Sequence, residues 1–435
     1  MTKSSFSQLS LWSLALASYL GETLVKIGPV GDLIITNADV GPDGYTRMAV
    51  LAGSTINGEL IVGQKGDDFA INVINNLNDS SIVQSTSIHW HGLVQRGTSW
   101  ADGTAFVTGW PISHNNSLYK FNAGDQAGTF WYHSHLSTQY CEGLRGPMII
   151  CDSLDPHTGF YDVDDENTII TLSDWNHVLT KTLKEPTSDA TLINGLGCGD
   201  PTTELAIISV KQGTRYRFRL INMACGAYFT FSIERHLMKI IELRIFVGKS
   251  SSFDWLDANQ DVQNYCKIRI LSYLVFLLYL KILGFVPTSM SGSPGFPEQE
   301  DVDYSWTLNM LYRSTLLPAG SVYALPPNST IELSVPGFSV GHGHAFHLHG
   351  HTFDVIRTAG SSTYNYENPV RRDVVHIGDI GANVTIRFKT DNAGPWLFHC
   401  HTNWHLNKGF AVVFAEDTEW ENLCSIYDAL PASEP

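Results

Sequence analysis

Ten histidines and one cysteine fall into four short clusters, and those clusters lie towards the two ends of a chain of 435 residues. Two come early, His89-Trp90-His91 and His133-Ser134-His135. Two come late, His344-Ala345-Phe346-His347-Leu348-His349 and His399-Cys400-His401-Thr402-Asn403-Trp404-His405, the last followed by Phe410. Residues two apart on a β-strand point to the same face, so each HxH pair offers two imidazoles side by side. One such pair is weak evidence, because alternating histidines on a strand can simply be solvated or hydrogen-bonded. Four pairs indicate metal ligation, and a fold that uses them all must bring the first and last parts of the chain together.

The last cluster carries the most chemistry. On a strand Cys400 points to one face while His399 and His401 point to the other. A thiolate with His405 nearby suits a blue-copper centre, which takes two imidazoles, one Cys and a weak axial neighbour. Alone, the triplet also fits a structural zinc corner. Ligand counting favours copper. One His of the third cluster with Cys400 and His405 completes a three-ligand blue site, and the eight remaining histidines serve three further coppers as sets of two, three and three, with positions open for a small molecule such as dioxygen. Soft thiolate plus imidazole, with few carboxylates nearby, disfavours magnesium, calcium and manganese.

These segments resemble the laccases of the multicopper oxidase family, above all the secreted fungal enzymes. The matching text is His89-Trp90-His91-Gly92 running to Trp100-Ala101-Asp102-Gly103, Gly128 to His135 running to Gly143-Leu144-Arg145-Gly146-Pro147, His344 to His351, and His399 to Phe410. The likeness covers roughly residues 27 to 235 and 318 to 430. It implies that His344, Cys400 and His405 hold a type 1 copper, and that His89 and His347 hold the type 2 copper. His91, His133 and His401 would hold one type 3 copper, and His135, His349 and His399 the other. Phe410 falls at the axial position, where a non-coordinating side chain favours Cu(I) and raises the potential. The other histidines, 114, 157, 177, 236, 342, 351 and 376, are read as structural or exposed. His342 offers a competing HxH register with His344, but the glycines around it fit a flexible loop better.

The resemblance also implies an all-β chain of three cupredoxin-like Greek-key sandwich or barrel domains. The expected boundaries are a signal-peptide-like stretch over 1–25, a first domain over 26–157, a second over 158–300 and a third over 301–435. Strand-like text agrees, in Asp32-Leu33-Ile34-Ile35-Thr36, Phe69 to Ile74, Arg215-Tyr216-Arg217-Phe218-Arg219-Leu220 and Val384 to Phe388, each bounded by Gly, Pro, Asn or Asp. The middle departs from the pattern. From about residue 236 alternation weakens, and Leu271-Ser272-Tyr273-Leu274-Val275-Phe276-Leu277-Leu278-Tyr279-Leu280 is an apolar run too short to span a membrane. The reading is a second domain disrupted from about residue 236 and a third shortened at its start, through an altered or mis-spliced junction.

Composition fits a secreted globular oxidase. The net charge of −16 and pI of about 5.4 argue against nucleic-acid binding and against an anionic membrane surface. Lys3 before the apolar run Leu9 to Ala17 resembles a signal peptide, and Asn78, Asn115, Asn328 and Asn383 begin glycosylation sequons. Of seven cysteines, Cys141 and Cys225 match a pair that laccases join by a disulfide. Cys424 matches half of another, whose partner position holds Trp110, while Cys151, Cys198 and Cys266 have no evident mate.

The implied reaction is one-electron oxidation of phenols or aromatic amines, coupled to four-electron reduction of dioxygen to water by a monomeric enzyme. Electrons enter at His405 and pass from Cys400 to His399 and His401, and Asp102 is the candidate proton donor, its alternative being a plain turn residue. Gly226 stands where many fungal relatives place a carboxylate or amide, and Asn403 where acidic residues are common, which leaves phenol preference and pH optimum open. Two other classes remain: a metal oxidase acting on Fe(II), which needs carboxylates near His405, and a secreted copper-binding protein without turnover.

Overall fold

The computed structural model describes residues 26–183, 187–197, 203, 205–226, 229, 231, 233, 236, 238–242, 321–337 and 344–417. Within them strand follows strand, with one five-residue α-helix, Asn403–Asn407, and short 3-10 turns. Alternation explains the strands. Along Asp68–Asn75 every second residue, Phe69, Ile71, Val73 and Asn75, is buried, as expected for a strand with one face on a core.

Two sheets make the first sandwich. One runs Lys26–Ile27, Leu60–Gln64, Arg145–Cys151, Gly128–Ser134, Ile88–His91, and the other runs Arg47–Ala52, Val30–Val40, Asp68–Asn75, Asn116–Asn122. Spatial neighbours are mostly not sequence neighbours, so the chain crosses between sheets in Greek-key fashion. Phe69 and Ile71 from one sheet meet Phe130, Tyr132 and Met148 from the other in one buried cluster. The last part of the chain repeats the plan. Its five-stranded sheet runs Val322–Leu325, Ala411–Glu416, Gly394–Cys400, Ala345–Leu348, Val374–His376, and its four-stranded sheet runs Thr330–Pro336, Asn383–Lys389, Phe353–Arg357, Val370–Arg372. Phe353, Ile386 and Phe388 pack there against Phe346, Leu348, Phe398 and Phe414.

Between them the described residues form one four-stranded sheet, Leu196–Gly197, Ala190–Ile193, Ile169–Trp175, Arg219–Asn222. One expectation needs correction here. The strand read at Arg215 to Leu220 begins only at Arg219, because its partner strand starts at Ile169, opposite Arg219, and is preceded by the 3-10 turn Glu166–Thr168. The preceding backbone makes a single bridge, Tyr216 to Val163.

The three units meet in one apolar cluster that includes Leu60 and Trp131 from the first, Ile169 and Met223 from the second, and Trp404 from the third. Buried cations tie the first two together. Arg145 donates to the carbonyls of Met223 at 2.8 Å and Asp174 at 3.1 Å, and Arg47 pairs with Glu142 at 2.8 Å while stacking 3.7 Å over Trp175. Cys141 and Cys225 are joined by a disulfide, with Cα atoms 5.6 Å apart, as the family resemblance implied. The expectations for the leader, for Leu271 to Leu280, and for His342, Cys198, Cys266 and Cys424 lie outside the described residues.

Candidate metal centres

Strand register places the late clusters. Ala345–Leu348 pairs with Gly394–Cys400 so that His347 lies opposite His399 and Phe346 opposite Cys400. Side chains alternate, so the two imidazoles share one face while Cys400 points the other way, into the core of the third sandwich. The helix Asn403–Asn407 then turns His405 back towards the thiol. Cys400 Sγ lies 3.4 Å from His405 Nδ1 and 3.6 Å from His344 Nδ1, and all three residues are buried. The Phe410 ring stacks parallel to His344 at 5.7 Å and is equally far from His405, so an apolar face closes this pocket.

The early clusters meet the late ones on the opposite face. His89 lies opposite His133 in the pairing of Ile88–His91 with Gly128–Ser134. Ligand nitrogens of His89, His91 and His133, of His89, His347 and His349, and of His135, His349 and His399 each fall within 4.8 Å of one another. The His401 ring centroid is 4.9 Å from that of His91 and 5.2 Å from that of His133. Every one of the eleven side chains singled out from the sequence is thus in one of two pockets.

Hydrogen bonding shows that these pockets suit metal ions. His133, His347 and His399 each point Nδ1 at a backbone carbonyl at 2.9 to 3.0 Å, and His89 does so at 2.8 Å. A neutral ring that donates from Nδ1 carries its lone pair on Nε2. Those lone pairs face each other, His89 Nε2 to His347 Nε2 at 3.4 Å and His349 Nε2 to His399 Nε2 at 3.0 Å. Two acceptors so placed repel unless a cation lies between them. The buried Nε2 of His401 also has no hydrogen-bond partner among the described residues.

Burial, and then mutual repulsion among imidazolium charges, keeps His91, His347, His349 and His399 well below the usual histidine range. His135 and His401 are lowered to about 3, again first by burial. The neutral imidazole, which is the ligating form, is therefore the resting form.

Asp102 ends the 3-10 turn Ser99–Ala101, which is the turn role weighed as its alternative, and it is fully buried. It also touches both halves of the pocket. Its Oδ2 accepts from His349 Nδ1 at 2.8 Å and from Thr104 at 2.7 Å, and its carbonyl accepts from His89 Nδ1. Burial pushes its carboxyl up, but His89 and Thr104 outweigh this and hold it below the ordinary value. Gly103 beside it has φ of +77°, and a Cβ there would strike the Ile88 carbonyl at 1.8 Å, so the turn needs glycine.

Sequence reading missed Asp373. It is buried, 3.4 Å from His91 Nε2 and 3.9 Å from His347 Nδ1, and no HxH spacing announces it. Carboxylates behind metal-binding histidines fix tautomer and ring orientation. Asn403 and Gly226, the two departures noted in the sequence, sit together. Asn403 donates its backbone N–H to the Cys225 carbonyl and its amide to the Ser137 carbonyl, and a Cβ on Gly226 would lie 3.1 Å from the Trp404 ring. His351 and His177, read as structural, are paired with Glu416 at 3.0 Å and Asp43 at 2.6 Å.

Comparison with known proteins agrees with this geometry. Family models described as multicopper oxidase match residues 34–155, 166–268 and 295–419. They reach further into the middle of the chain than the likeness read from the sequence, which stopped near 235 and resumed near 318. The laccase of Phlebia radiata is 45% identical over 512 residues, covering 97% of this chain and 98% of its own. Laccase-1 of Pleurotus ostreatus is 46% identical over 506 residues, with 95% of each covered. Among solved structures, a laccase from Botrytis aclada superposes with a TM-score of 0.72 at 28% identity, over 94% of this chain and 92% of that one. With three family models in order and near-complete overlap with fungal laccases, the chain belongs to the multicopper oxidase family and, within it, to the laccases.

Proposed function

We propose that this chain takes electrons singly from small phenolic or aromatic amine donors and delivers four of them to dioxygen, releasing water. The observation that carries this reading is the division of labour around Cys400. Its thiol faces His344 and His405 in one pocket, while its two sequence neighbours, His399 and His401, line the other. A few covalent bonds thus join a one-electron site to a pocket of eight imidazoles.

His344, Cys400 and His405 hold the type 1 copper, and His89 with His347 the type 2. His91, His133 and His401 form one type 3 ligand set, and His135, His349 and His399 the other. Bound copper supplies the one-electron redox chemistry in the first pocket and the dioxygen-binding, four-electron chemistry in the second. His405 precedes the half-exposed Leu406, which makes it the entry point for electrons. Phe410 would present an apolar ring, with no donor atom, to a copper held there. Asp102, hydrogen-bonded to His349 and beside His89, is the carboxylate that relays protons towards the oxygen being reduced.

Metal oxidation is not favoured. The one carboxylate that joins a metal-binding group among the described residues, Asp373, lies with His91 and His347 in the deeper pocket. The chain works outside the cell as a monomer. The disulfide fits an oxidising compartment, Asn78, Asn115 and Asn328 are exposed, and no described helix is long and apolar enough to cross a membrane. An incomplete second domain fits the alignment of the whole chain with the Phlebia radiata relative, which runs over 512 positions against the 435 residues of this chain, so that the relative carries segments with no counterpart here.

Oxygen uptake by the copper-loaded chain, with and without a simple phenol, tests the reading. Phenol-dependent uptake without accumulated peroxide supports it. Bound copper with no uptake would leave a copper protein without turnover.

A further inference from the structure

The eight-histidine pocket is shared between two sandwiches, so some contact must set the distance between them. We propose that Asn392 does this, as the positioning residue that registers the first sandwich against the third. The proposal rests on the copper reading above.

Asn392 is buried, at 3% exposure. Its Nδ2 donates to the carbonyl of Val94 at 2.6 Å and to the carbonyl of Gly350 at 2.9 Å. Val94 comes three residues after His91, and Gly350 directly follows His349. One amide therefore ties the turn behind an early ligand to the turn behind a late one, while touching no ligand itself.

Both turns are held on their own side as well. Gln126 grips the first, accepting from the Val94 N–H and donating to the Gly92 carbonyl, each at 2.8 Å. The second lies flat on Trp396. Gly350 has φ of +70°, a Cβ there would come within 2.2 Å of the indole, and the indole N–H donates back to the Asn392 carbonyl at 2.7 Å. Neither turn can shift alone to compensate for a lost bond, so displacement passes to His91 and His349. The Arg96 and Asp391 pair crosses the same boundary next door, but its side chains are 59% and 36% exposed, and pairs so exposed contribute little.

The test uses the full copper-loaded chain under graded EDTA, reading copper per chain alongside the visible and EPR spectra. In Asn392→Asp the carboxylate oxygen that replaces Nδ2 faces both carbonyls and has no proton to donate. The three coppers of the shared pocket should leave at roughly ten- to a hundredfold lower chelator than in the unaltered chain, the range seen when outer groups behind metal ligands are removed. The blue Cys400 signal should persist. Asn392→Ala, which removes the donors without adding charge, should show the same selective loss, and Arg96→Ala should match the unaltered chain. Retention of all copper by Asn392→Ala, or loss of blue and shared-pocket copper in parallel, would overturn the proposal. If the unaltered chain itself binds fewer than four coppers, the underlying copper reading has failed instead.

Discussion

The two metal pockets share buried imidazoles, one of them adding the Cys400 thiol, and are assembled in different ways. The Cys400 pocket draws His344, Cys400 and His405 from a single sandwich, and its wall is that sandwich's own core. The eight-histidine pocket takes four rings from the first sandwich and four from the last, each in a strand or directly after one. The first depends on local strand register and one helical turn. The second exists only while two bodies are docked, which is why buried polar groups such as Asp102 and Asn392 cluster there. Electron entry can thus survive damage that abolishes oxygen reduction, but not the reverse.

The sharpest break in this comparison is Cys400→Ser. We expect the blue band to vanish and phenol oxidation to fall to background, with copper analysis still showing metal in the eight-histidine pocket. Core truncations come next. Phe69→Ala in the first sandwich and Phe353→Ala in the third should each cost about 3–5 kcal/mol, as large buried aromatics do, measured by denaturant unfolding. Their metal consequences should differ, Phe69→Ala weakening the shared pocket alone and Phe353→Ala weakening both.

Asp102→Asn keeps the shape and removes the charge behind His349. It should lower copper affinity in the shared pocket by roughly ten- to a hundredfold and leave the blue signal intact, as read by competition with a chelator. A pH series on copper-free protein sharpens the same contrast. His135 and His401 titrate near 3 when folded and in the ordinary histidine range when unfolded, so between those values the unfolded chain binds more protons. Stability should therefore fall as pH drops from about 6.5 towards 3, and bound copper should flatten the slope because it competes with protons for the same nitrogens. The smallest effect belongs to Arg387→Ala, whose ion pair with Glu332 is over a third exposed. Thermal unfolding should shift by under about 1 kcal/mol, and neither pocket should change.

Much of this contrast was legible in the text of the chain. Alternation alone separates Cys400 from His399 and His401, and the split of the clusters between the chain's ends already required the two ends to meet. The assignment of each imidazole to a copper, the Cys141 to Cys225 bridge and the interest of Asp102 came through family resemblance rather than spacing. Asp373 and Asn392 were invisible because their roles lie in contacts with distant backbone and rings, which leave no periodic trace. The strand read at Arg215 failed for a related reason: how far alternating text is paired depends on where its distant partner strand begins, here at Ile169 opposite Arg219.

The central claim is that both pockets assemble in this chain. Copper content per chain, taken together with the visible spectrum of the purified full-length protein, tests it most directly. The account predicts four coppers and an intense blue band from the Cys400 site. A blue band with a single copper would mean that the two sandwiches fail to dock, and protein with neither would contradict the account outright.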